Sequence, residues 1–449
     1  MGQKIDRTYL FERMPVGQAV RRQIVPSIAS QMVILLYNLA DTYFVGLLND
    51  ASQTAAVSLA YSVTLLMTAL ANLFAVGGAG RIAQLLGRRD RDGAREVCAV
   101  SFWFALLASA AFCVLFTLLS SPILRLCGAT DETYALACGY SRWVISVGGT
   151  FSILNTVLAN LIRADGSAFA ASMGVSAGGI INMLLDPLFV LPRFLGMGAE
   201  GAGLATAISN AAGMLILLGI IAARRRVVVV ALRPGDLRAA RRHIGRILRI
   251  GLPSAVQFLL TLVAVGALTK FMSLYDTAAV AALGIVKKLD MLPLYFSIGV
   301  ANGLLPLLAY NYSAENHERR HRIFLCGCAV AVGFSVVCVA GYEVFAPALV
   351  RIFIGDAQTI AYGTKLLRIM VLAMPMMSVC YPMITQFQAM GRMRESLICS
   401  ILRKGSLDIP LLFVLNALFP LYGCAAVQPI VDCICMIVAI YFYKKLPTA

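Results

Sequence analysis

Twelve apolar stretches, each about the length that crosses a bilayer as a helix, follow one another from Ile24 almost to the end of the chain. Their expected bounds are 24–48, 54–80, 97–119, 134–161, 167–191, 201–223, 247–273, 278–309, 323–345, 361–389, 395–419 and 422–443. Transmembrane barrels are written as short alternating segments, which these runs are not. Soluble proteins carry about 25% charged residues; here the share is 13%, against 60% hydrophobic. The sequence therefore predicts an all-α polytopic membrane protein with twelve transmembrane helices. The first twenty-odd residues are polar and basic, so no cleavable leader is expected.

The formal net charge of +16 does not point to nucleic acid once the charges are placed. Basic clusters fall after the second, fourth, sixth, eighth and tenth spans. They comprise Arg88, Arg89, Arg91 and Arg95, then Arg163, the run from Arg224 to Arg249, then Arg319, Arg320 and Arg322, and finally Arg392 and Arg394. Arg21, Arg22, Lys444 and Lys445 lie on the same side. The opposite loops hold only Arg125, Arg142, Arg193, Arg351, Lys365 and Arg368. This bias predicts that both termini are cytoplasmic. The twelve cysteines are scattered through apolar spans without metal-ligand spacing. Cys127 and Cys138 share an external segment and could pair there.

The chain repeats itself at an offset of 222 to 227 residues. Pro26-Ser27 matches Pro253-Ser254, Thr42-x-Phe44 matches Thr269-x-Phe271, and Phe189-Val190-Leu191 matches Phe413-Val414-Leu415. An even number of spans per repeat gives both copies one orientation, with the pseudo-two-fold axis along the membrane normal. We therefore expect two pseudo-symmetric six-helix bundles, residues 1–223 and 247–449, joined by a cytoplasmic linker at 224–246. Such a pair suits alternating access around a shared cavity. Major-facilitator carriers share this topology, so topology alone names no family.

Two aspartates, Asp41 and Asp186, interrupt this apolar background. A carboxylate in a bilayer is costly unless it is protonated, paired or holding a cation. Asp41 lies about seven residues before the outer end of the first span, Asp186 about five before that of the fifth, and Thr206 about five into the sixth. At about 1.5 Å per residue, all three sit at a similar depth. Tyr37 and Asn182 lie four residues before Asp41 and Asp186 and share their helix faces. Two carboxylates, an amide, a phenol and a hydroxyl form an oxygen-rich set suited to a proton or to Na⁺. Polar residues can also merely bridge neighbouring helices, but two acids at one depth without a basic residue argue for function. Pro187 frees a main-chain carbonyl beside the site. Asn155 and Asn160 are possible cavity residues at greater depth; Asn210, Met32 and Met183 are also possible cavity residues, flexible thioethers suiting a promiscuous apolar pocket.

These residues carry a resemblance. NLIRADG at 160–166, GGIINMLLDPLFVL at 178–191 and GMGAEGAGLATAIS at 196–209 resemble the fourth-to-sixth-helix region of the multidrug and toxic compound extrusion (MATE) family. VPSIASQMVILLYNLADTYFVG at 25–46 is similar to its first helix. The segment 284–319 resembles its eighth helix and the loop that follows, departing at Ser313, where glycine is usual. The match is colinear over nearly the whole chain. It implies an antiporter, driven by Na⁺ or H⁺, that expels amphipathic and often cationic drugs from a bacterial or archaeal cytoplasmic membrane. It further implies that Asp41 is the ion-responsive acid, that Asn182, Asp186 and Thr206 are its partners and Na⁺ ligands if Na⁺ is used, and that the first helix bends at Pro26. Asp41 matches Leu268 in the second half, and the seventh span has no acid, so the chain resembles the DinF-like branch. No cofactor is expected beyond the coupling ion, and a monomer is expected.

Lys287 with Asp290, and Lys404 with Asp408, have i,i+3 and i,i+4 spacing, which predicts local neutralisation; otherwise Asp290 and Asp408 line the cavity or form a second proton path. Asp432 extends the pattern of Thr206 and Asn210 and is expected to face the cavity weakly. A lipid-linked oligosaccharide flippase is the alternative function, for which Lys270, Lys287, Lys288, Arg403 and Lys404 are the only cavity cations on offer. His243, His317 and His321 all fall in loops and no phosphate-binding Walker motif is present, so an enzyme is not expected.

Overall fold

The computed structural model describes residues 8–48, 50–126, 129–224 and 229–446. Cys127 lies outside them, and with it the expected pairing to Cys138. Among the described residues there is no β-strand. The first half contains α1 (Val16–Gly46), α2 (Ala51–Gly87), α3 (Arg91–Leu126), α4 (Asp131–Ser141), α5 (Gly149–Ala164), α6 (Ala168–Val190) and α7 (Gly198–Ala223). The second contains α8 (Ala240–Met272), α9 (Thr277–Ser313), α10 (His317–Arg351), α11 (Ala357–Val371), α12 (Met374–Ala389), α13 (Met393–Ile401), α14 (Asp408–Leu418) and α15 (Tyr422–Lys444). In lipid the backbone must satisfy itself, and uninterrupted apolar runs do so as helices.

Nine of the described helices are long and apolar enough to cross a membrane, or eleven when two bent pairs each count once. The pairs are Asp131–Val147 with Gly149–Ala164, bent by 46°, and Ala357–Val371 with Met374–Ala389, bent by 44°. The first bend follows a π-turn at Arg142–Val147; the second precedes Pro375, which has no N–H to extend the preceding helix. The remaining expected span, 395–419, falls on α13 and α14, separated by a π-turn at Leu402–Ser406 in which Lys404 leaves helical geometry at φ −135°.

The internal repeat is legible in the helix starts. Asp50 caps α2 by accepting from the Ser52 N–H, and Asp276 caps α9 by accepting from the Ala278 N–H. Thr130 caps α4 and Asp356 caps α11, in each case through the N–H three residues on. Each such cap contributes about 1 kcal/mol. The π-turn between α13 and α14 has no counterpart in α6, which runs unbroken.

The halves meet chiefly through α2 against α8 and α9, and α1 against α9. Small residues permit this. A Cβ on Gly251 of α8 would collide with the backbone of Leu73 on α2, and one on Gly303 of α9 would lie 2.7 Å from the Ile24 Cα on α1. These contacts lie towards the end that bears the basic loops. A plug reinforces that end. Phe11, fully buried, stacks on Tyr310 with ring centroids 4.6 Å apart. Arg319 donates to the carbonyls of Phe11 at 2.8 Å and Met14 at 2.6 Å, while Tyr310 donates to Glu12 at 2.7 Å. The Gln84 amide of α2 reaches across to the Ala389 carbonyl at 2.9 Å.

The stretch expected as linker is more structured than its composition suggests. Helix α8 begins at Ala240, inside that stretch. Val229 and Val230 are buried, the Val229 N–H donates to Asp165 at 3.2 Å, and the Leu232 carbonyl accepts from Trp103 at 3.2 Å. His243 lies 2.8 Å from Glu96. Two apolar residues beside basic ones dock on the first half instead of spanning solvent.

Candidate functional site

Helices α1, α4, α6 and α7 close around the two aspartates. Close approach of α1 to α6 depends on Gly179, whose missing side chain leaves room for Val33 and for the Tyr37 ring, 3.1 Å from where a Cβ would stand. Gly178 does the same towards α7, with the Ser209 carbonyl 3.0 Å away. Small residues at helix contacts give membrane bundles this tight packing. The result is a pocket from which water is nearly excluded: Asp41 is 8% exposed, Asn182 1% and Asp186 0%.

The polar atoms in this pocket divide into satisfied and unsatisfied ones. Tyr140 donates to Asp41 Oδ2 at 3.2 Å. The Asn182 amide donates to Asp186 Oδ1 at 3.2 Å and lies 3.4 Å from Thr206 Oγ1. Asp41 Oδ1, Asp186 Oδ2 and Asn182 Oδ1 are buried without a hydrogen-bond partner. The two carboxylates act on each other electrostatically, and Tyr37 and Tyr140 lie within the field of both. No Lys or Arg among the described residues forms an ion pair with either acid. Buried acceptors with no donor cost about 1–3 kcal/mol each, more when charged. Protons or a small cation are what such a set of oxygens lacks. The residues therefore fit the expected ion, with Asp41, Asp186, Asn182 and Thr206 able to supply oxygen to Na⁺. Among the described residues no group of three or more His, Cys, Asp or Glu gathers for a metal; the donors here are two acids plus an amide and a hydroxyl.

Several residues read from the sequence lie elsewhere. Asn160 turns back to the Thr156 carbonyl and Asn210 to the Thr206 carbonyl, each at 2.9 Å, so both amides serve their own helices. Asn155 is 8% exposed, packs on Gly213 of α7, and keeps an orphaned Oδ1. Met32 and Met183 are half-buried. Helix α6 stays helical through Pro187, so the Met183 carbonyl loses its usual donor, and α1 stays helical through Pro26. Tyr140 was not singled out from the sequence. It lies within the expected fourth span, and only the packing of α4 on α2 and α7 brings it to Asp41.

The second half gathers the charges that the sequence read as two local pairs into one cluster, with Lys287 in the field of Asp290 and Asp408 in that of Lys404. The π-turn at Leu402–Ser406 breaks the helix that would align Lys404 with Asp408. Lys404 donates instead to Gln428 at 2.6 Å. Arg403 and Asp432, each 1% exposed, pair at 2.9 Å, and the Arg403 guanidinium lies 4.3 Å over the Tyr381 ring. Gln428 donates to the other Asp432 oxygen at 3.0 Å. Asp432 is therefore a committed ion-pair partner and not a cavity-facing acid. Asp408 is buried with an orphaned Oδ2. Asp290 is half-buried and shares the field of Lys287.

Known proteins share both pattern and shape. The MatE family model matches residues 26–188 and again 253–414, once in each half. The multidrug export protein MepA of Staphylococcus aureus is 29% identical over 437 residues, covering 97% of this chain and 95% of that protein. MepA of Staphylococcus saprophyticus is 27% identical over 97% of this chain and 95% of its own length. Among solved structures, a crystal structure of MATE in the straight conformation superposes with a TM-score of 0.91 at 25% identity, covering 98% of each chain.

Proposed function

The chain belongs to the MatE family, and from that premise we propose that it is a secondary active multidrug exporter of a cytoplasmic membrane. In this reading, amphipathic and often cationic compounds leave through a cavity between the two halves in exchange for inward-moving H⁺ or Na⁺. The observation that carries it is the pair of buried carboxylates, Asp41 and Asp186, whose free oxygens face no cationic side chain. The name of the MepA relatives, multidrug export protein, supports drugs as the substrate class. An acid-lined half also favours cations over the anionic pyrophosphate of a lipid-linked sugar.

Mechanistically, an ion arriving at Asp41 and Asp186 removes their mutual repulsion. The helices that hold them, α1 and α6, then pack differently, and the equilibrium between the two access states shifts by the difference in ion affinity between those states. Closure of the basic, cytoplasmic end by α2, α8, α9 and the Phe11 plug supports a state in which the opposite end admits the ion. The absence of an acid from the described part of α8 is in keeping with coupling through the first half, as in the DinF-like branch.

Purified protein in liposomes loaded with a cationic dye tests this without any nucleotide. Efflux driven by an imposed Na⁺ gradient or by an imposed pH gradient supports the proposal and identifies the ion. Dye retention under both gradients, for protein that binds the dye, overturns it.

A further inference from the structure

The sequence groups Arg163 with the basic loop residues, but the structure buries it at the inner end of α5, 3% exposed. No acid among the described residues forms an ion pair with it, and its Nε is buried without a hydrogen-bond partner. Its guanidinium donates to Ser30 Oγ on α1 at 3.1 Å, and the Ser172 hydroxyl of α6 reaches the same oxygen at 3.4 Å. Burying a charge without its counter-charge is costly. Clipping α5 to α1 does not require that cost, as the second half shows.

Helix α12 repeats α5. Both are 16 residues long, and each is followed by a glycine of positive φ, Gly166 at +84° and Gly391 at +70°. The Gly166 N–H donates to the Arg163 carbonyl and the Gly391 N–H to the Gln388 carbonyl, each at 2.9 Å. Asn160 and Thr385 both turn back to the carbonyl four residues earlier. All of these pairs are 225 residues apart, so Gln388 stands where the first half has Arg163. Gln388, also buried, donates to Ser254 Oγ on α8 at 2.8 Å. Each side chain thus clips its helix to a proline-bearing neighbour, at a serine four residues past Pro26 or one past Pro253. A neutral amide does this in the second half and a charge in the first.

The half with the charge is the half with the two unpaired acids. Inward of those acids its interior stays polar. Ser30, Ser27 and Gln23 on α1 are fully buried, both polar atoms of the Gln23 side chain lack a partner, and Asn155 on α5 keeps its free Oδ1. Ser30 lies eleven residues inward of Asp41, about 16 Å along α1. Ser172 lies fourteen inward of Asp186, about 21 Å along α6. A cation at the acids therefore has further oxygens on its inner side, and Arg163 stands at the end of them. In a medium of low dielectric a fixed positive charge repels a cation far more than it does in water. Pores use an arginine in this way to exclude protons and other cations.

We propose that Arg163 is an electrostatic stop. Its charge closes the inner end of the polar seam in the first half, so that an ion held by Asp41 and Asp186 cannot run on to the cytoplasm through that half. The ion then leaves only through the cavity between the halves, where its release is tied to the change of access state. Gln388 needs no charge because the acids beside it in the second half have cations of their own. This role rests on reading Asp41 and Asp186 as the ion site.

Passive ion entry into drug-free liposomes of phosphatidylethanolamine and phosphatidylglycerol tests it. An inward pH gradient or an inward Na⁺ gradient is imposed with the voltage clamped by K⁺ and valinomycin, and entry is read from a trapped pH-sensitive or Na⁺-sensitive dye. Arg163→Gln copies the second half, offering an amide donor without the charge. Arg163→Met removes donor and charge, and Arg163→Lys keeps the charge. Entry should rise about tenfold or more over wild type in the two neutral variants. It should stay at the wild-type level in Arg163→Lys and fall back when Asp41→Asn is added to either neutral variant. If only one neutral variant folds, that one decides. The proposal is overturned by a folded neutral variant as tight as wild type, by a leak in Arg163→Lys equal to that in Arg163→Gln, or by a leak that survives Asp41→Asn. Failure of both neutral variants to fold also overturns it, since the charge is then structural. An Asp41-dependent leak in a protein that exports no dye would sink the exporter reading alone; tight neutral variants of a protein that exports dye would sink the stop alone.

Discussion

Around Asp41 and Asp186, each polar neighbour differs in what it has left to give. Asn182 spends its amide on Asp186 and Thr206 and keeps a free Oδ1 beside the acids. Asn210 spends its amide on its own helix. Asn182→Ala removes a ligand oxygen together with a hydrogen bond to a charged group, worth about 1.5–3 kcal/mol. The ion concentration for half-maximal efflux should therefore rise roughly tenfold or more. Asn210→Ala should change it by less than about twofold, a gap that ion titrations of dye efflux resolve. In the second half, Arg403→Leu leaves Asp432 buried and unpaired, a loss of about 3–5 kcal/mol, whereas replacing both partners with apolar residues is often near neutral. Unfolding in detergent should accordingly show a large drop for Arg403→Leu, mostly recovered in the Arg403→Leu, Asp432→Leu double variant. A drop in the double variant as large as in the single one would contradict this. At this scale, Asp41, Asp186, Asn182, Thr206 and Tyr37 could be placed by counting along helices, because depth and face follow from a fixed rise and period. Tyr140 could not, since its contact with Asp41 spans 99 residues and depends on how α4 lies.

Helices in this chain are told apart by their interruptions more than by their apolar runs. Period and length located the spans, but the twelve expected spans missed where helices break: the π-turns at Arg142–Val147 and Leu402–Ser406 follow from packing and leave little trace in composition. At the second of these Lys404 leaves helical geometry and gives its hydrogen bond to Gln428, while it still acts on Asp408 through its charge. Contacts between the halves depend instead on positions without side chains. Gly251→Ala places a Cβ against the Leu73 backbone, which cannot move aside as a flexible side chain would. Phe11→Ala removes a fully buried ring from the plug, a change that costs about 3–5 kcal/mol in the state that buries it. Both substitutions should open the basic end. Spin labels at the exposed positions Arg88 and Arg394 should report a longer distance in each variant than in the parent. An unchanged distance in both would contradict the role assigned to these contacts.

Taken as a whole, the molecule combines a symmetric frame with asymmetric chemistry. Capping residues, bends and family matches recur in the two halves, and the sequence repeat anticipated this because helix starts and apolar spans are local features. The contents of the two halves do not recur: acids without counter-ions on one side, acids with built-in counter-ions on the other. Only the missing partner of Asp41, at Leu268, was legible beforehand. The charge cluster around Arg403 needed the packing of α9, the π-turn and α15 to assemble it. On our proposal, ion exchange belongs to the first half. The most direct test is dye efflux from proteoliposomes bearing Asp41→Asn, compared with wild type under the gradient that drives wild type. The account predicts that the variant binds dye yet shows no gradient-driven efflux. Efflux at the wild-type rate would contradict it.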